Sequence, residues 1–278
     1  MWKQTKQADF FTLNETVFRE RETEFISLVT LSTNHLSDPS AFAFYTFIEN
    51  GVSIGQAIRS RSRLEVGCLP QQSIASLVDL LATPRPSISE IRGFADSVDR
   101  FVPTWTQKVA CQTELFLHTS LYTLHRLTLP PTQGGTLICA TDTHRSIASK
   151  LMRGFIDDCF PEQANPTLLA EKHTKKLMAQ KNLFLWKNRE GEWVSLAAQV
   201  RTSWHTASIS MVYTPPEHRG RGYGRCVTGM LSQKIMREQN RTCNLFADVK
   251  NPTSNYIYRS LGYEKINEEK SMFLRPYE

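Results

Sequence analysis

Hydrophobic positions in the first half of the chain follow two different periods, which predict both strands and helices. Apolar runs at 41–48 and 52–58 flank an Asn50-Gly51 pair, and such a pair between apolar runs is a strong signal for a β-hairpin. A third strand is predicted at 63–68. Helices are predicted at 14–34, 73–81 and 87–101, and the last two each have a serine near their start.

The second half shows a regular order of predicted elements. Strands are predicted at 136–140, 182–187, 193–201, 206–214, 243–249, 263–267 and 271–275, and helices at 143–160, 167–179, 223–237 and 252–261. In the helix at 223–237, apolar side chains recur at helical spacing at Val227, Met230, Leu231 and Ile235. The order β-α-α-β-β-β-α-β-α-β-β predicts an α/β fold with a sheet of mixed direction.

Length and composition indicate a globular chain of two domains. The 278 residues are 40% hydrophobic and 22% charged, which excludes a disordered chain. The uncharged, proline- and glycine-rich stretch 129–135 predicts a boundary between an N-terminal α/β domain at 1–132 and a second domain at 133–278. The first domain lacks any combination of nucleophile, base and phosphate-binding loop, so we expect it to have a structural or substrate-shaping role.

Other sequence features predict a cytoplasmic protein without membrane segments. No apolar run is long enough for a transmembrane helix, and no signal-peptide pattern follows Met1. The six cysteines are widely spaced without a CxxC pair, which is typical of reduced thiols in the cytosol.

The positive charge of the chain lies in its second half. Residues 1–132 carry 12 Lys and Arg against 13 Asp and Glu, and residues 133–278 carry 21 against 14, so balances of −1 and +7 give the total of +6. A basic half indicates an anionic ligand or partner, or simply a basic solvated surface.

A glycine-rich turn between the strand at 206–214 and the helix at 223–237 is the best candidate for an anion site. The unpaired N–H groups of a helix's first turn and the positive end of its dipole can bind a pyrophosphate. Arg219, Arg221 and Arg225 add positive charge suited to phosphate oxygens. The turn lacks the Gly-Lys-[Ser/Thr] of a P-loop, and the third glycine of a dinucleotide-binding fingerprint would fall on Arg225. No metal-ligand spacing is present, so no metal is expected.

Two motifs carry a resemblance to a known family. Arg219-x-x-Gly222-x-Gly224 is similar to the Arg/Gln-x-x-Gly-x-Gly/Ala signature of the GNAT superfamily of N-acetyltransferases. The segment from Asn251 to Tyr263 resembles that family's Asn-x-x-[Ala/Ser]-x-x-[Leu/Ile]-Tyr-x-x-[Leu/Phe]-Gly-[Phe/Tyr] pattern, in the family's order and separation. The resemblance covers about 133–278. The residues of the two motif segments particularly resemble those of a bacterial branch of predicted acetyltransferases, which is similar to glycine N-acyltransferase-like proteins.

The resemblance implies a fold, a cosubstrate and a set of binding residues. The fold is a mixed, mostly antiparallel sheet flanked by helices, and the first half is either a separate domain or a degenerate copy of that fold. The cosubstrate is acetyl-CoA, whose pantetheine arm would enter between splayed strands at 206–214 and 243–249. The implied cofactor-binding residues are Val212, Tyr213, Thr214, Arg219, Gly220, Arg221, Gly222, Tyr223, Gly224, Arg225, Asn251, Ser254 and Tyr258.

The reaction requires a proton donor and a route for the amine proton. An alkyl amine has a pKa of about 10.4 and is mostly protonated at neutral pH, so a base or a water chain must take its proton. The resemblance places Tyr258 near the thioester sulfur, where its phenol can serve the leaving thiolate. Asp248 is the first candidate for the base and His205 the second, whereas Glu217 lies in the phosphate turn, too far from the thioester.

Several alternatives stay open from the sequence alone. Asn251 followed by Pro252 also fits a helix start without ligand contact. The protein is expected to be an N-acetyltransferase acting on a small-molecule or peptide amine, and the alternative is a non-enzymatic acyl-CoA-binding regulatory protein. Nucleic-acid binding is disfavoured because the arginines cluster in one turn without interleaved aromatic residues. The sequence does not specify the acceptor, the acyl-chain length or the oligomeric state.

Overall fold

The computed structural model describes residues 1–34, 38–83, 88–132 and 134–277. Contacts group the chain into an N-terminal unit (Met1–Leu121, Ala247–Lys250 and Ile266–Glu278) and a C-terminal unit (Tyr122–Phe246 and Asn251–Lys265). The bounds of these units differ from the expected division after residue 132. Gln133, the next residue, is not among the described residues. The role expected for the first domain stays a prediction.

The described residues form strands and helices in a regular alternation. The strands are β1 (Trp2–Thr5), β2 (Phe42–Glu49), β3 (Val52–Ser60), β4 (Arg63–Val66), β5 (Glu90–Phe94), β6 (Cys111–Leu124), β7 (Thr136–Cys139), β8 (Leu183–Lys187), β9 (Trp193–Thr202), β10 (Thr206–Tyr213), β11 (Thr242–Asp248) and β12 (Glu264–Pro276). The helices are α1 (Gln7–Glu20), α2 (Ile26–Thr33), α3 (Gln71–Ala82), α4 (Ala95–Lys108), α5 (Arg145–Cys159), α6 (Pro166–Ala179), α7 (Tyr223–Gln239) and α8 (Pro252–Ser260).

The N-terminal unit is built on a sheet with the strand order β1-β2-β3-β4-β5-β12-β6. Its pairs β1–β2, β2–β3, β3–β4 and β5–β12 are antiparallel, and β4–β5 is parallel. Helices α3 and α4 pack on it through a buried cluster that includes Leu77, Phe101 and Trp105. Leu274 of β12 belongs to the same cluster, so a strand from the end of the chain completes this core.

The C-terminal unit has the strand order β11-β10-β9-β8-β7. The pairs β7–β8, β8–β9 and β9–β10 are antiparallel, and β10–β11 is parallel. Leu183 and Leu185 on β8, and Leu196 and Ala198 on β9, are all buried against α5 and α6, as expected for alternating residues on one face of a sheet.

The two halves of the chain, from β1 to β6 and from β7 to β12, repeat one element order. In each, a strand, two helices, three antiparallel strands, a helix, a parallel strand, a helix and a final strand follow one another. The pairs β1–β2, β2–β3, β3–β4 and β4–β5 have the same directions as β7–β8, β8–β9, β9–β10 and β10–β11, with a parallel pair at the end of each series. The mixed, mostly antiparallel sheet flanked by helices is therefore confirmed, and the first half is a second copy of the same fold.

Most predicted elements are confirmed, and four predictions were wrong or incomplete. The Asn50-Gly51 hairpin is present, with both residues in the left-handed conformation that its turn requires. The helix expected at 14–34 is two helices, α1 and α2, preceded by the unpredicted strand β1. The long strand β6 was also unpredicted, and the two strands expected at the end of the chain are the single strand β12.

The helix expected at 87–101 is the clearest error. Its first residue, Ser87, lies outside the described residues, and the segment that follows is strand β5 and then α4. Gly93 explains the strand, because a Cβ there would lie 1.9 Å from the carbonyl oxygen of Val66 on the neighbouring β4. This close approach is a contact between distant residues that local periodicity does not encode. In the described ranges, no helix is long and apolar enough to cross a membrane.

Candidate active site

The glycine-rich turn of the C-terminal unit connects the end of β10 to the start of α7. A short 3₁₀ turn spans Pro216–His218, and two glycines follow it in left-handed backbone conformations. Gly220 has φ of 75° and Gly222 has φ of 77°, values that residues with a Cβ adopt at an energetic cost. The glycines therefore set the course of the main chain into the helix.

The main-chain N–H groups at this turn are available to a ligand. Within residues 134–277, no N–H from Gly220 through Arg225 has a hydrogen-bond partner, and the first bond of α7 joins Cys226 N–H to the Gly222 carbonyl at 3.0 Å. Helix α7 has 17 residues, so the positive end of its dipole lies at these donors. A run of free N–H groups at such a helix start is a site for a phosphate or pyrophosphate.

The corresponding turn of the N-terminal unit has no such donors. Residues 67–70 join β4 directly to α3 and end in a proline. Two of the N–H groups in this turn donate to the main-chain and side-chain oxygens of Gln56, at 2.9 and 3.3 Å, and the third donates to the Ser97 hydroxyl at 3.0 Å. The N–H groups of residues 67–69 are therefore satisfied within the protein, whereas the glycine-rich turn of the C-terminal unit leaves its N–H groups from Gly220 onward without a partner among the described residues.

The two parallel strand pairs also differ. The pairing of β10 with β11 runs from Thr206–Thr242 to Ile209–Leu245, after which β10 continues along β9 alone through a bulge. Met211 in that bulge has a φ of 56°, a strained conformation for a side chain of its size. In the N-terminal unit, β4 instead pairs with β5 up to its last residue. The opening between β10 and β11 agrees with the splay that the resemblance implied.

Main-chain groups at the end of β10 are partly engaged. Val212 lies inside the bulge, so it has no opposite residue on β9. The carbonyl of Tyr213 accepts a hydrogen bond from the buried Ser195 hydroxyl at 2.7 Å. The same hydroxyl lies 3.0 Å from the Thr214 hydroxyl, and the Thr214 carbonyl accepts from Arg219 Nε at 2.9 Å. Val212 lies beyond the last residue of β10 that pairs with β11, so that edge of the strand faces the opening.

The side chain of Arg219 is engaged with protein groups. Its guanidinium forms an ion pair with Asp158 at the end of α5 and lies over the Tyr213 ring, 5.8 Å from the ring centre. The ring packs closely on α5, because a Cβ at Gly154 would lie 2.3 Å from the Tyr213 hydroxyl. Neither Gly154 nor Asp158 is predicted from the sequence, where a glycine inside an amphipathic helix pattern is the one available signal.

Two polar atoms beside the turn are buried without a partner among the described residues. They are Arg225 Nε and His218 Nδ1. A terminal nitrogen of Arg225 donates to the carbonyl of Ser260 at 3.3 Å, so this side chain is held between α7 and the end of α8. Arg221 is exposed. Buried polar atoms without partners are costly, and a phosphate at the turn is a ligand that suits them.

Helix α8 begins with the asparagine motif and is fixed from two sides. Asn251 caps the helix, with its side-chain oxygen accepting from the N–H of Ser254 at 3.0 Å. Asn255 is buried; it donates to the Asn251 carbonyl at 2.7 Å and accepts from the Tyr122 hydroxyl at 2.7 Å. The capping interpretation of Asn251 is therefore confirmed, and ligand contact by Asn251 and Ser254 stays a prediction.

Tyr258 is a buried phenol on α8. Its side chain is 7% exposed, and its ring lies 6.3 Å from the Tyr122 ring and 6.0 Å from the Tyr263 ring. Burial raises the pKa of Tyr258 above its usual range, and Cys159 at the end of α5 adds to the rise, while a hydrogen bond with Ser254 opposes it. The phenol therefore keeps its proton at physiological pH.

The candidate bases lie in different places. The Asp248 carboxylate is exposed at the end of β11, and it accepts a hydrogen bond from the N–H of Lys250 at 2.8 Å. His205 precedes β10, at the opposite end of that strand from the turn, roughly 26 Å away for eight residues of strand. Both base candidates, Asp248 and His205, stay predictions. Among the described residues, no group of three or more His, Cys, Asp or Glu side chains is placed to hold a metal ion.

Comparisons with known proteins agree with this geometry. Residues 188–273, which include the turn and α8, match the family model described as FR47-like protein. A search of curated protein sequences found no match.

Solved structures match the whole chain. A GNAT-family acetyltransferase from Colwellia psychrerythraea matches at a TM-score of 0.60 and 11% identity, covering 99% of both chains. A GCN5-related N-acetyltransferase from Sphaerobacter thermophilus matches at 0.64 and 13%, covering 99% of this chain and 96% of that one. A tandem GNAT protein from the clavulanic acid biosynthesis pathway matches at 0.52 and 11%, covering 100% and 99%.

At these identities the likeness concerns the fold. The relation to the glycine N-acyltransferase-like branch, which the motif residues suggested, stays a prediction. The chain has the fold of the GNAT acetyltransferases, present in both of its units.

Proposed function

We propose that this chain transfers an acetyl group from acetyl-CoA to an amine, and that the C-terminal unit binds the acetyl-CoA. The observation that carries the proposal is the run of free main-chain N–H groups from Gly220 through Arg225, at the point where β10 leaves β11. A pyrophosphate can accept hydrogen bonds from these donors, and an extended pantetheine arm can enter the opening beside Val212, where β10 no longer pairs with β11.

The bonds that change set the demands on the protein. The amine nitrogen forms a bond to the acetyl carbonyl carbon, the carbon–sulfur bond breaks, and the amine proton ends on the CoA thiol. A protonated amine with a pKa of about 10.4 cannot attack, and its deprotonation at pH 7 costs roughly 4 kcal/mol. The protein therefore has to accept a proton from the amine and stabilise the thiolate that leaves.

Tyr258 is the proposed partner of the leaving sulfur. A phenol has a higher pKa than a thiol, about 10 against about 8.5, and burial widens that difference for Tyr258. Complete proton transfer from Tyr258 to the thiolate is therefore uphill, and the phenol acts by donating a hydrogen bond to the developing negative charge. This refines the proton-donor role that the resemblance implied.

Changing Tyr258 to phenylalanine tests this role. A hydrogen bond to a charged group contributes about 1.5–3 kcal/mol, so we expect turnover to fall roughly 10- to 150-fold with little change in the Kd for acetyl-CoA. Tyr256→Phe on the same helix is the matched control, because that side chain is 68% exposed and should be neutral. Equal turnover in the two variants would show that Tyr258 has only a packing role.

Asp248 remains the proposed base, with a water chain as the alternative. Its carboxylate is exposed at the end of β11, where it accepts a hydrogen bond from Lys250 N–H. Asp248→Asn should lower turnover most at low pH, where less of the amine is deprotonated. An unchanged pH profile of kcat/KM in Asp248→Asn would assign proton removal to water.

Calorimetric titration of the full chain with acetyl-CoA, CoA and NAD tests the function itself. Saturable binding of acetyl-CoA without binding of NAD, followed by thiol release with a panel of small amines and peptides, is the expected result. Binding without thiol release from any amine would favour the non-enzymatic acyl-CoA-binding alternative. A folded sample that binds no acetyl-CoA would refute the proposal, and a gel shift at low salt would then test nucleic-acid binding.

A further inference from the structure

Arg219 is the motif arginine, yet its guanidinium is committed to protein groups on three sides. Its Nε donates to the Thr214 carbonyl at the end of β10, a terminal nitrogen pairs with Asp158 on α5, and its plane lies over the Tyr213 ring. The planar guanidinium can make these contacts together because its donors diverge in a fixed fork. One side chain thus links the glycine-rich turn to a strand end and a helix end.

The position of the Tyr213 ring is itself determined by the helix. Gly154 leaves space for the phenol against the α5 main chain, where a Cβ would lie 2.3–2.6 Å from three atoms of the ring end. Burial raises the pKa of the Tyr213 phenol, so it stays neutral beside Asp158. The ring therefore lies between the helix backbone and the guanidinium.

We propose that Arg219 and Asp158 act together as positioning residues that hold the glycine-rich turn in its ligand-binding course, and that Arg219 is not a phosphate ligand. The inference rests on the proposed function for its effect on acetyl-CoA. The free N–H groups from Gly220 through Arg225 provide the anion contacts, and the guanidinium charge is already balanced by a carboxylate.

The two roles of Arg219 predict opposite effects of removing Asp158. If Arg219 supports the turn, loss of its partner loosens the turn and weakens acetyl-CoA binding. If Arg219 binds phosphate, loss of Asp158 releases the guanidinium, removes a nearby negative charge and tightens binding. The sign of one change in Kd therefore separates them.

Asp158→Asn is the test, and Asp157→Asn is its matched control. The Arg219–Asp158 pair has side-chain exposures of 50% and 46%, and the neighbouring Arg153–Asp157 pair, which lies within α5, has 42% and 46%. Both changes remove one exposed carboxylate from adjacent positions, so they alter the net charge equally. An ion pair of this exposure is worth about two- to fivefold in an equilibrium constant at most.

Two measurements on the full-length variants decide the outcome. Calorimetry should show a Kd for acetyl-CoA about two- to fivefold higher in Asp158→Asn than in Asp157→Asn, with kcat for thiol release unchanged. Amide hydrogen exchange at His218 and Arg219, whose N–H groups donate to the Pro215 and Pro216 carbonyls, should be faster in the free protein in Asp158→Asn only. This second readout needs no ligand, so it tests the positioning role even if the wild type binds no acetyl-CoA and the proposed function fails.

Each alternative result overturns the inference. Tighter binding in Asp158→Asn would make Arg219 a phosphate ligand held back by Asp158. Equal exchange at His218 and Arg219 in the two variants would show that the ion pair does not hold the turn. In the supported case, Arg219→Gln should add little to Asp158→Asn, because residues that act as one unit have non-additive effects.

Discussion

Replacing Gly154 by alanine has two opposing effects on the free energy of unfolding, and the size of each can be worked out from the structure. The new Cβ would lie 2.3, 2.4 and 2.6 Å from the Oη, Cζ and Cε1 atoms of Tyr213. Contacts this short are not tolerated, so the ring has to move out from under the Arg219 guanidinium or the helix has to shift. Overpacking of this kind typically costs about 1–3 kcal/mol.

The same substitution also favours the helix. Alanine is better than glycine in a helix interior by about 0.8–1 kcal/mol, and Gly154 lies well inside α5. We therefore expect Gly154→Ala to lower the free energy of unfolding by up to about 2 kcal/mol in the native background. In a Tyr213→Ala background the clash is absent, and the same change should raise it by about 0.8–1 kcal/mol.

A double-mutant cycle in urea measures this reversal of sign. The four proteins should be unfolded with both circular dichroism and tryptophan fluorescence, whose coincidence checks that unfolding is two-state. The coupling between positions 154 and 213 should equal the cost of the clash, about 1–3 kcal/mol. If Gly154→Ala stabilises both backgrounds alike, the Tyr213 ring moves freely and does not anchor the turn.

Three further predictions concern other parts of the fold. Burial raises the pKa of the Cys243 thiol from 9.0 to about 12. The folded state therefore holds a proton that the unfolded state loses, and the free energy of unfolding should fall between pH 9 and 12. Cys243→Ala should flatten that part of the stability–pH curve. Arg92→Met removes the partner of Glu269, which is 4% exposed, and should cost about 3–5 kcal/mol in urea unfolding. Gly222→Glu places a carboxylate at the anion site, where about 4 kcal/mol of repulsion should weaken acetyl-CoA binding roughly 10³-fold. Gly191→Glu changes a hairpin glycine with φ of 89°, so it controls for backbone strain and should bind acetyl-CoA as the wild type does.

Local signals predicted the parts of the fold that depend on neighbouring residues. The Asn50-Gly51 turn specifies its hairpin through the backbone conformations of two adjacent residues, and Asn251-Pro252 specifies the start of α8 in the same way. The glycine-rich turn was also identified, because glycine spacing and the following helical period are contained in a short stretch. These elements need no information from the rest of the chain.

The errors arise where distant residues decide the local structure. Residues 87–101 have an acceptable helical pattern, but 90–94 pair with β4 as a strand, and Gly93 permits the close approach to the Val66 carbonyl. The role of Arg219 was hidden for the same reason, since its partner Asp158 is 61 positions away in the chain. A motif locates an arginine, whereas only the fold shows which atoms it touches.

The interleaving of the two units has a consequence for biosynthesis. Strand β12 pairs with β5, and its Leu274 lies in the core of the N-terminal unit, although nearly the whole C-terminal unit is encoded between them. A ribosome therefore releases all of the C-terminal unit's chain before the N-terminal unit can close its sheet. Until β12 is synthesised, the sheet of the N-terminal unit is incomplete and needs protection from aggregation. Cutting the gene near codon 132 should likewise yield an N-terminal fragment that lacks a strand of its own core.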